Sequence, residues 1–210
     1  VLYLVPDAVS ATAIEVLNPT ARSLHGLYEE GASHRRAYER MTDAILEPVR
    51  TGKRVCAAFY GHPGMFVLPS HEAIARARAE GFGATMLPGV SAEDCLFADL
   101  GVDPALSGLQ SYEAGDFLRR RPAIEPTASL VLWQIGVVGA RTHSASVSAP
   151  ALGELVELLC ERYPAGHGAV VYEASSYPGI APIVRNVRLD ELGAGAVTPA
   201  STLYVPPAPR

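Results

Sequence analysis

The sequence is short of every feature that announces a membrane, a metal or a bound polyphosphate. No apolar run approaches the roughly 18 residues of a bilayer span, and no basic, apolar leader with small residues opens the chain; the expectation is a cytoplasmic protein without a membrane partner. Cysteine is scarce: Cys56, Cys95 and Cys160 stand far apart in apolar surroundings. So sparse and odd a set reads as reduced, buried thiols, not as a disulfide framework. The six histidines show no HExxH and no paired-ligand spacing, so no metal site is expected. Neither GxGxxG nor GxxxxGK[ST] occurs, which leaves dinucleotide and P-loop binding without support. Lys and Arg are dispersed and the formal net charge is -5. The one basic cluster, Arg119-Arg120-Arg121, reads as a solvated helix end, so no nucleic-acid partner is expected.

What is present is a globular α/β pattern. The 210 residues are 49% hydrophobic and 19% charged, enough for two small domains with their own cores. Apolar runs at 1–5, 54–60, 84–87, 130–135, 169–173, 183–189 and 203–205 read as strands. Helices are expected between them at 8–17, 37–49, 70–80, 91–100 and 152–162, with Ser70 and Ser91 as caps. The run 54–60 is continuous, as in a parallel strand covered on both faces. Residues 101–108 are rich in Gly, Pro and Asp and read as a linker. We expect one α/β domain over 1–104 and a second over 105–210. Ligands in parallel sheets lie beyond the carboxyl ends of strands, which directs attention to the loops after Tyr60, Leu87 and Ile135.

Three segments could carry chemistry. Tyr60-Gly61-His62-Pro63-Gly64-Met65-Phe66 brackets a proline with glycines, leaving a sharply turned, bare backbone against which a bulky ligand could lie. An ordinary tight turn reads the same way. Pro88-Gly89-Val90-Ser91-Ala92-Glu93 sits between a strand and a helix, with helix-start N–H groups free for a ligand. It comes within one glycine of a nucleophile elbow, with His143 and His167 as imaginable bases, but Ser91 as a plain cap explains it equally. In the segment 28–41, His34 and Arg35 lie four and three residues before Tyr38. A cation beside a phenol lowers its pKa, so Tyr38 is a conceivable base; a solvated helix start is the alternative.

Together and in this order, FYGHPGMFVLPSH, MLPGVSAEDCLFADLGVDP, LVLWQIGVVG and STLYVPP resemble the tetrapyrrole-methylase superfamily. Within it they resemble the borosin peptide α-N-methyltransferases, and the resemblance runs from residue 1 to Pro207. It implies two α/β domains with S-adenosylmethionine folded into the cleft between them, and S-adenosylhomocysteine as product. It also implies that Tyr60, His62, Met65 and Phe66 line the cofactor from the first loop, and Ser91 and Ala92 from the second. Gln134, Ser201 and Thr202 would contribute from the second domain. Tyr28 and Tyr38 match the family's two active-site tyrosines. One tyrosine hydroxyl would stabilise charge developing on the amide oxygen, and the other, as phenolate, would remove the amide proton.

The chain departs from the family in two places. Where the family carries an arginine four residues before the second tyrosine, this sequence has His34, with Arg35 beside it as a substitute one helical turn from Tyr38. A neutral His34 would activate Tyr38 less. Family members also begin with a strand, a glycine-rich turn and a helix ahead of the segment matching residues 1–5, so the first domain is expected to lack its first strand and helix. No helical extension or valine-rich core peptide follows residue 207, which points to a separate precursor peptide as substrate. The resemblance further implies a homodimer. Methylation of a small, tetrapyrrole-like molecule, or cofactor binding without turnover, are the competing readings.

Overall fold

A computed structural model describes residues 1–28, 34–140, 147–164, 166–177 and 179–209. They divide into two compact units, Val1–Ser91 and the described residues from Ala92 onward.

The first unit holds a three-stranded parallel sheet in the order β2-β1-β3. Its strands are β1 (Leu2–Leu4), β2 (Arg22–Ser23) and β3 (Ala57–Phe59). Leu2 and Leu4 pack on Met41, Ile45 and Leu24. Met41 and Ile45 belong to α2 (His34–Arg50), whose buried residues Ala37, Met41, Thr42, Ile45 and Leu46 form one stripe at helical spacing. Against α2 lies α3 (Leu68–Ala79), which turns Ala73 and Ala77 inward and ties back through Arg50–Glu80 and Arg76–Asp43 pairs. Ser70 does not cap α3. It lies inside the first turn, with its hydroxyl donating to the carbonyl oxygens of Pro63 and Val67. The helix α1 (Ala8–Leu17) begins at Asp7, whose carboxylate accepts the Ser10 N–H at 2.8 Å, a cap worth about 1 kcal/mol. It buries none of its residues.

Two strand expectations change here. Residues 84–87 form no strand, and the apolar run 54–60 yields only three strand residues, each half-buried. The cause is shared: β3 is the edge of the sheet, and a parallel strand needs a bonded neighbour on both sides to bury such a run.

The second unit holds a five-stranded mixed sheet in the order β4-β5-β8-β6-β7, not a purely parallel one. The strands are β4 (Leu109–Glu113), β5 (Ser129–Trp133), β6 (Gly168–Glu173), β7 (Ile183–Arg188) and β8 (Thr202–Val205). β4 and β5 run parallel; β8 is antiparallel to both β5 and β6. Every residue of β5 is buried because the sheet is covered twice. Leu130 and Leu132 face the core that includes Phe117 of α5 (Ala114–Arg120) and Leu155 and Leu159 of α6 (Ala149–Cys160). Val131 and Trp133 face Leu96 of α4 (Ala92–Leu100), with Tyr172 and Tyr204. This packing places α4 in the second compact unit, which begins at Ala92.

β4 and α5 were hidden in the sequence between the linker and β5. Arg119 and Arg120 end α5, and Arg121 closes it in the left-handed region while pairing with Glu154, a solvated helix end as expected. The cysteines are free, but the expectation of burial fails: Cys56 and Cys160 are exposed and Cys95 is half-buried. Among the described residues no helix is long and apolar enough to cross a membrane.

Candidate active site

The first loop grows directly from the carboxyl ends of β1 and β3, joined where the Tyr60 N–H donates to the Leu4 carbonyl at 3.2 Å. Gly61 turns the chain with φ +67°. His62 then folds back: its Nδ1 accepts the Gly64 N–H at 2.9 Å, which fixes the ring as a structural acceptor. His71 donates from Nε2 to the Gly64 carbonyl at 2.9 Å. Met65 closes the turn on the His62 carbonyl, and Phe66 follows in the left-handed region at φ +57°. A non-glycine residue there costs about 1–2 kcal/mol, a strain that clusters at working sites.

The second loop is packed onto the first. A Cβ built on Gly89 would stand 2.6 Å from the Gly61 carbonyl oxygen, and one on Gly64 would stand 2.8 Å from the Met86 sulfur. The two glycine loops predicted separately from the sequence thus form one backbone surface, with no room for a side chain at the seam. Around it, Tyr60, Phe66, Leu87 and Val90 are exposed by 47–77%. Large apolar side chains left uncovered beside bare backbone form the kind of cradle a ligand with an aromatic ring and a polar tail requires. Ser91 is buried at the end of this loop, and Ala92 opens α4 in the second unit.

The tyrosine pair lies in the same first unit. Of the segment 28–41, residues 29–33 lie outside the described ones. α2 reaches back to His34, so His34 and Tyr38 do share a helix face, with ring centroids 6.0 Å apart. Tyr28 meets Tyr38 edge-on at 6.4 Å. Burial pushes the Tyr28 hydroxyl well above the ordinary phenol range, and the nearby Tyr38, to which it donates, raises it further. Tyr38 is also raised by burial, but the hydrogen bond it accepts from Tyr28 favours its phenolate. Of the two, Tyr28 is the one held as a neutral donor and Tyr38 the one that ionises more readily. The Arg35 side chain is 87% exposed and pairs with Glu39 at 3.0 Å. At a position one residue off the stripe, the guanidinium reaches solvent and its i+4 carboxylate first.

In the second unit the structure brings Gln134 beside Ser201 and Thr202. β5 ends at Trp133, whose indole N–H donates to Ser111 Oγ at 2.8 Å. Gln134 then takes φ +59°, and the Ile135 N–H donates to the Ser201 carbonyl at 3.1 Å. Ser201 and Thr202 are buried, at 0% and 4% exposure. Sequence reading missed Gly136, where a Cβ would overlap the Thr198 carbonyl, and Glu173, whose carboxylate accepts from Ser201 Oγ and Thr198 Oγ1 at 2.6 Å each. The hydrolase alternative gains nothing. His143 lies outside the described residues, and His167 is occupied, stacking on Tyr163 at 5.0 Å and donating to the Pro206 carbonyl at 2.8 Å. Among the described residues no group of three potential ligands could hold a metal.

Residues 3–192 match the family described as Tetrapyrrole (Corrin/Porphyrin) Methylases. The chain is 41% identical over 216 residues to a methyltransferase and cyclic-peptide precursor for omphalotin A from Omphalotus olearius, covering 100% of this chain and 52% of that protein. It is also 41% identical over 214 residues to a type I borosin precursor from Serendipita vermifera subsp. bescii, covering 99% and 52%. The chain spans about half the length of these relatives. Among solved structures, uroporphyrin-III C-methyltransferase from Thermus thermophilus shares the fold with a TM-score of 0.63 and 21% identity, covering 98% of this chain and 81% of that one. A second structure of that enzyme, complexed with S-adenosyl homocysteine, gives 0.59 and 18% identity, covering 98% and 84%. The glycine loops, the tyrosine pair and these likenesses agree: the chain belongs to the tetrapyrrole methylase family, and its homologues are borosin-type peptide methyltransferase domains.

Proposed function

We propose that this chain is an S-adenosylmethionine-dependent methyltransferase that α-N-methylates backbone amides of a ribosomal precursor peptide supplied as a separate chain. The observation that carries this reading is the Tyr28–Tyr38 pair, one hydroxyl donating and the other better able to ionise, in the unit that also bears the glycine loops. Tyr60, His62, Met65, Phe66 and Ser91 are the proposed donor contacts of the first unit. Ala92, Gln134, Ser201 and Thr202 are those of the second. The fit is chemical: exposed aromatic faces for an adenine, bare backbone for a ribose and amino-acid tail, and a hydrogen-bonding amide and hydroxyls. When bound, S-adenosylmethionine supplies an electrophilic methyl on a sulfonium sulfur.

The chain's own residues would do the rest. An amide nitrogen is a poor nucleophile because its lone pair is delocalised into the carbonyl. Tyr28, held neutral, turns its single O–H from Tyr38 to the amide oxygen as Tyr38 takes up the proton and negative charge gathers on that oxygen. Tyr38, as phenolate, accepts the amide proton. The proposed contacts would hold the donor for transfer of its methyl to that nitrogen, the S–CH3 bond breaking as the N–CH3 bond forms, with S-adenosylhomocysteine as the product. His34 is the cation-capable ring beside Tyr38 and takes the place expected for Arg35. We further propose that the protein works as a homodimer. In support, α1 leaves Val9, Val16 and Leu17 64–87% exposed, an apolar face suited to a second copy.

The test is incubation with S-adenosylmethionine and a panel of apolar peptides. Stepwise gains of one methyl each, located on backbone nitrogens by fragmentation, are expected. Donor binding without transfer to any peptide overturns the enzymatic reading and leaves a binding protein. Methylation of a tetrapyrrole in place of peptides establishes the small-molecule alternative. A monomer in sedimentation would remove the dimer.

A further inference from the structure

Glu173 ends β6 and is half-buried. Its Oε1 accepts from two hydroxyls, Ser201 Oγ and Thr198 Oγ1, each at 2.6 Å. An ionised carboxylate has only acceptors, so one oxygen can hold both donors without competition. The turn 198–201 is closed from within as well. Ser201 Oγ accepts the Thr198 N–H at 2.8 Å, and the Ser201 N–H donates to the Thr198 carbonyl at 3.0 Å. Ser201 is fully buried, and its hydroxyl both donates and accepts. Without Glu173 that hydroxyl would lose the acceptor of its proton in a place water does not reach.

The turn sits on the segment that carries Gln134. Its Thr198 carbonyl occupies the space a side chain at Gly136 would need, and its Ser201 carbonyl accepts the Ile135 N–H. Gln134 lies immediately before these two contacts, in the left-handed region at φ +59°. A glutamine keeps that conformation only where its surroundings impose it. Both impositions come from the turn that Glu173 holds.

We propose that Glu173 is a positioning residue. Through Ser201 and Thr198, its carboxylate fixes the turn that keeps Gln134 left-handed and sets the backbone of Ser201 and Thr202 for the methyl donor. This rests on the reading of Gln134, Ser201 and Thr202 as donor contacts. The bonds of Glu173 to Thr198 and Ser201 lie within the second unit, so its influence is expected on donor affinity and not on the peptide KM.

Two variants test it. Glu173→Gln keeps an acceptor oxygen of the same reach; Glu173→Leu keeps the volume and removes the acceptor. Calorimetric titration with S-adenosylhomocysteine is expected to show Glu173→Leu weakened about tenfold and Glu173→Gln within about threefold of the parent. The peptide KM stays constant and both variants unfold cooperatively. Hydrogen exchange gives a reading without ligand: the Ile135 amide, bonded to the Ser201 carbonyl, exchanges faster in Glu173→Leu, while amides at the centre of β5 do not. Affinity within twofold of the parent, an equal change in peptide KM, or unaltered Ile135 exchange overturns the proposal. A parent protein that does not bind S-adenosylhomocysteine sinks the donor-site reading instead, and exchange at Ile135 still decides whether Glu173 holds the turn.

Discussion

Replacing Gly89 with alanine places a methyl 2.6 Å from the Gly61 carbonyl oxygen. Ordinary contact begins at 3.4 Å, so the two loops must part by roughly 0.8 Å. The obstacle is backbone and cannot swing away. Gly61 is held at φ +67°, and the next residue is pinned by the bond from the Gly64 N–H to His62 Nδ1. Overpacking a site that cannot relax costs about 1–3 kcal/mol. At about 1.4 kcal/mol per tenfold, that is a roughly five- to 140-fold loss of affinity for a ligand lying on both loops. Two controls calibrate the effect. A Cβ on Gly83 meets nothing within 4 Å, so Gly83→Ala leaves affinity unchanged. A Cβ on Gly64 meets the far end of Met86 at 2.8 Å and the His62 ring at 3.1 Å; the first can move, so Gly64→Ala falls between the other two. Calorimetry with S-adenosylhomocysteine, alongside thermal melts, reads all three. If Gly89→Ala binds as tightly as Gly83→Ala, the loops do not form one binding surface and the reasoning fails.

Further outcomes follow from the same geometry. Tyr38→Phe abolishes methyl transfer while S-adenosylhomocysteine affinity stays intact; retained turnover removes Tyr38 as the base. With Tyr38 as the proposed phenolate base, burial that raises it above the ordinary phenol range makes kcat/KM climb with pH through neutrality toward 10 without levelling off; a plateau near pH 7 would show that another group takes the proton. Gln134→Gly relieves about 1–2 kcal/mol of left-handed strain against about 0.5–1 kcal/mol of added chain entropy. Its melting temperature holds or rises while donor affinity falls, and a lower melting temperature would show that the glutamine is unstrained.

The loops were legible because glycine and proline have few interpretations in a turn; the structure seats the first where the parallel strand β3 finishes and packs the second, which follows no strand, onto it. β5 was legible for a different reason: an unbroken Leu-Val-Leu-Trp run needs cover on both faces, and it has it. Tyr38 was a candidate from its cationic neighbours alone, but its pairing with Tyr28 became visible only through family resemblance, since a tyrosine near a helix start is common on solvated helices. Its local geometry still departed from expectation at Arg35, because spacing along a helix names several neighbours and does not choose among them. Glu173 was out of reach. Its partners Thr198 and Ser201 lie 25 and 28 residues away, and nothing local marks a carboxylate at the end of a strand as an anchor. Residues 84–87 misled because apolar composition records a wish to be buried, whereas a strand exists only when another strand bonds to it.

The placement of α4 bears on how the molecule can be taken apart. Leu96 has 0% exposure and shields the sheet face formed by Val131, Trp133, Tyr172 and Tyr204. A fragment cut at the glycine- and proline-rich stretch before residue 105 discards that cover, leaving four large side chains and the Tyr172–Asp99 hydrogen bond without their partners. Cut instead between Ser91 and Ala92, the same sheet keeps both of its lids. The seam falls between Ser91 and Ala92, two residues proposed as donor contacts, so a cut there opens the chain at the end of the second loop.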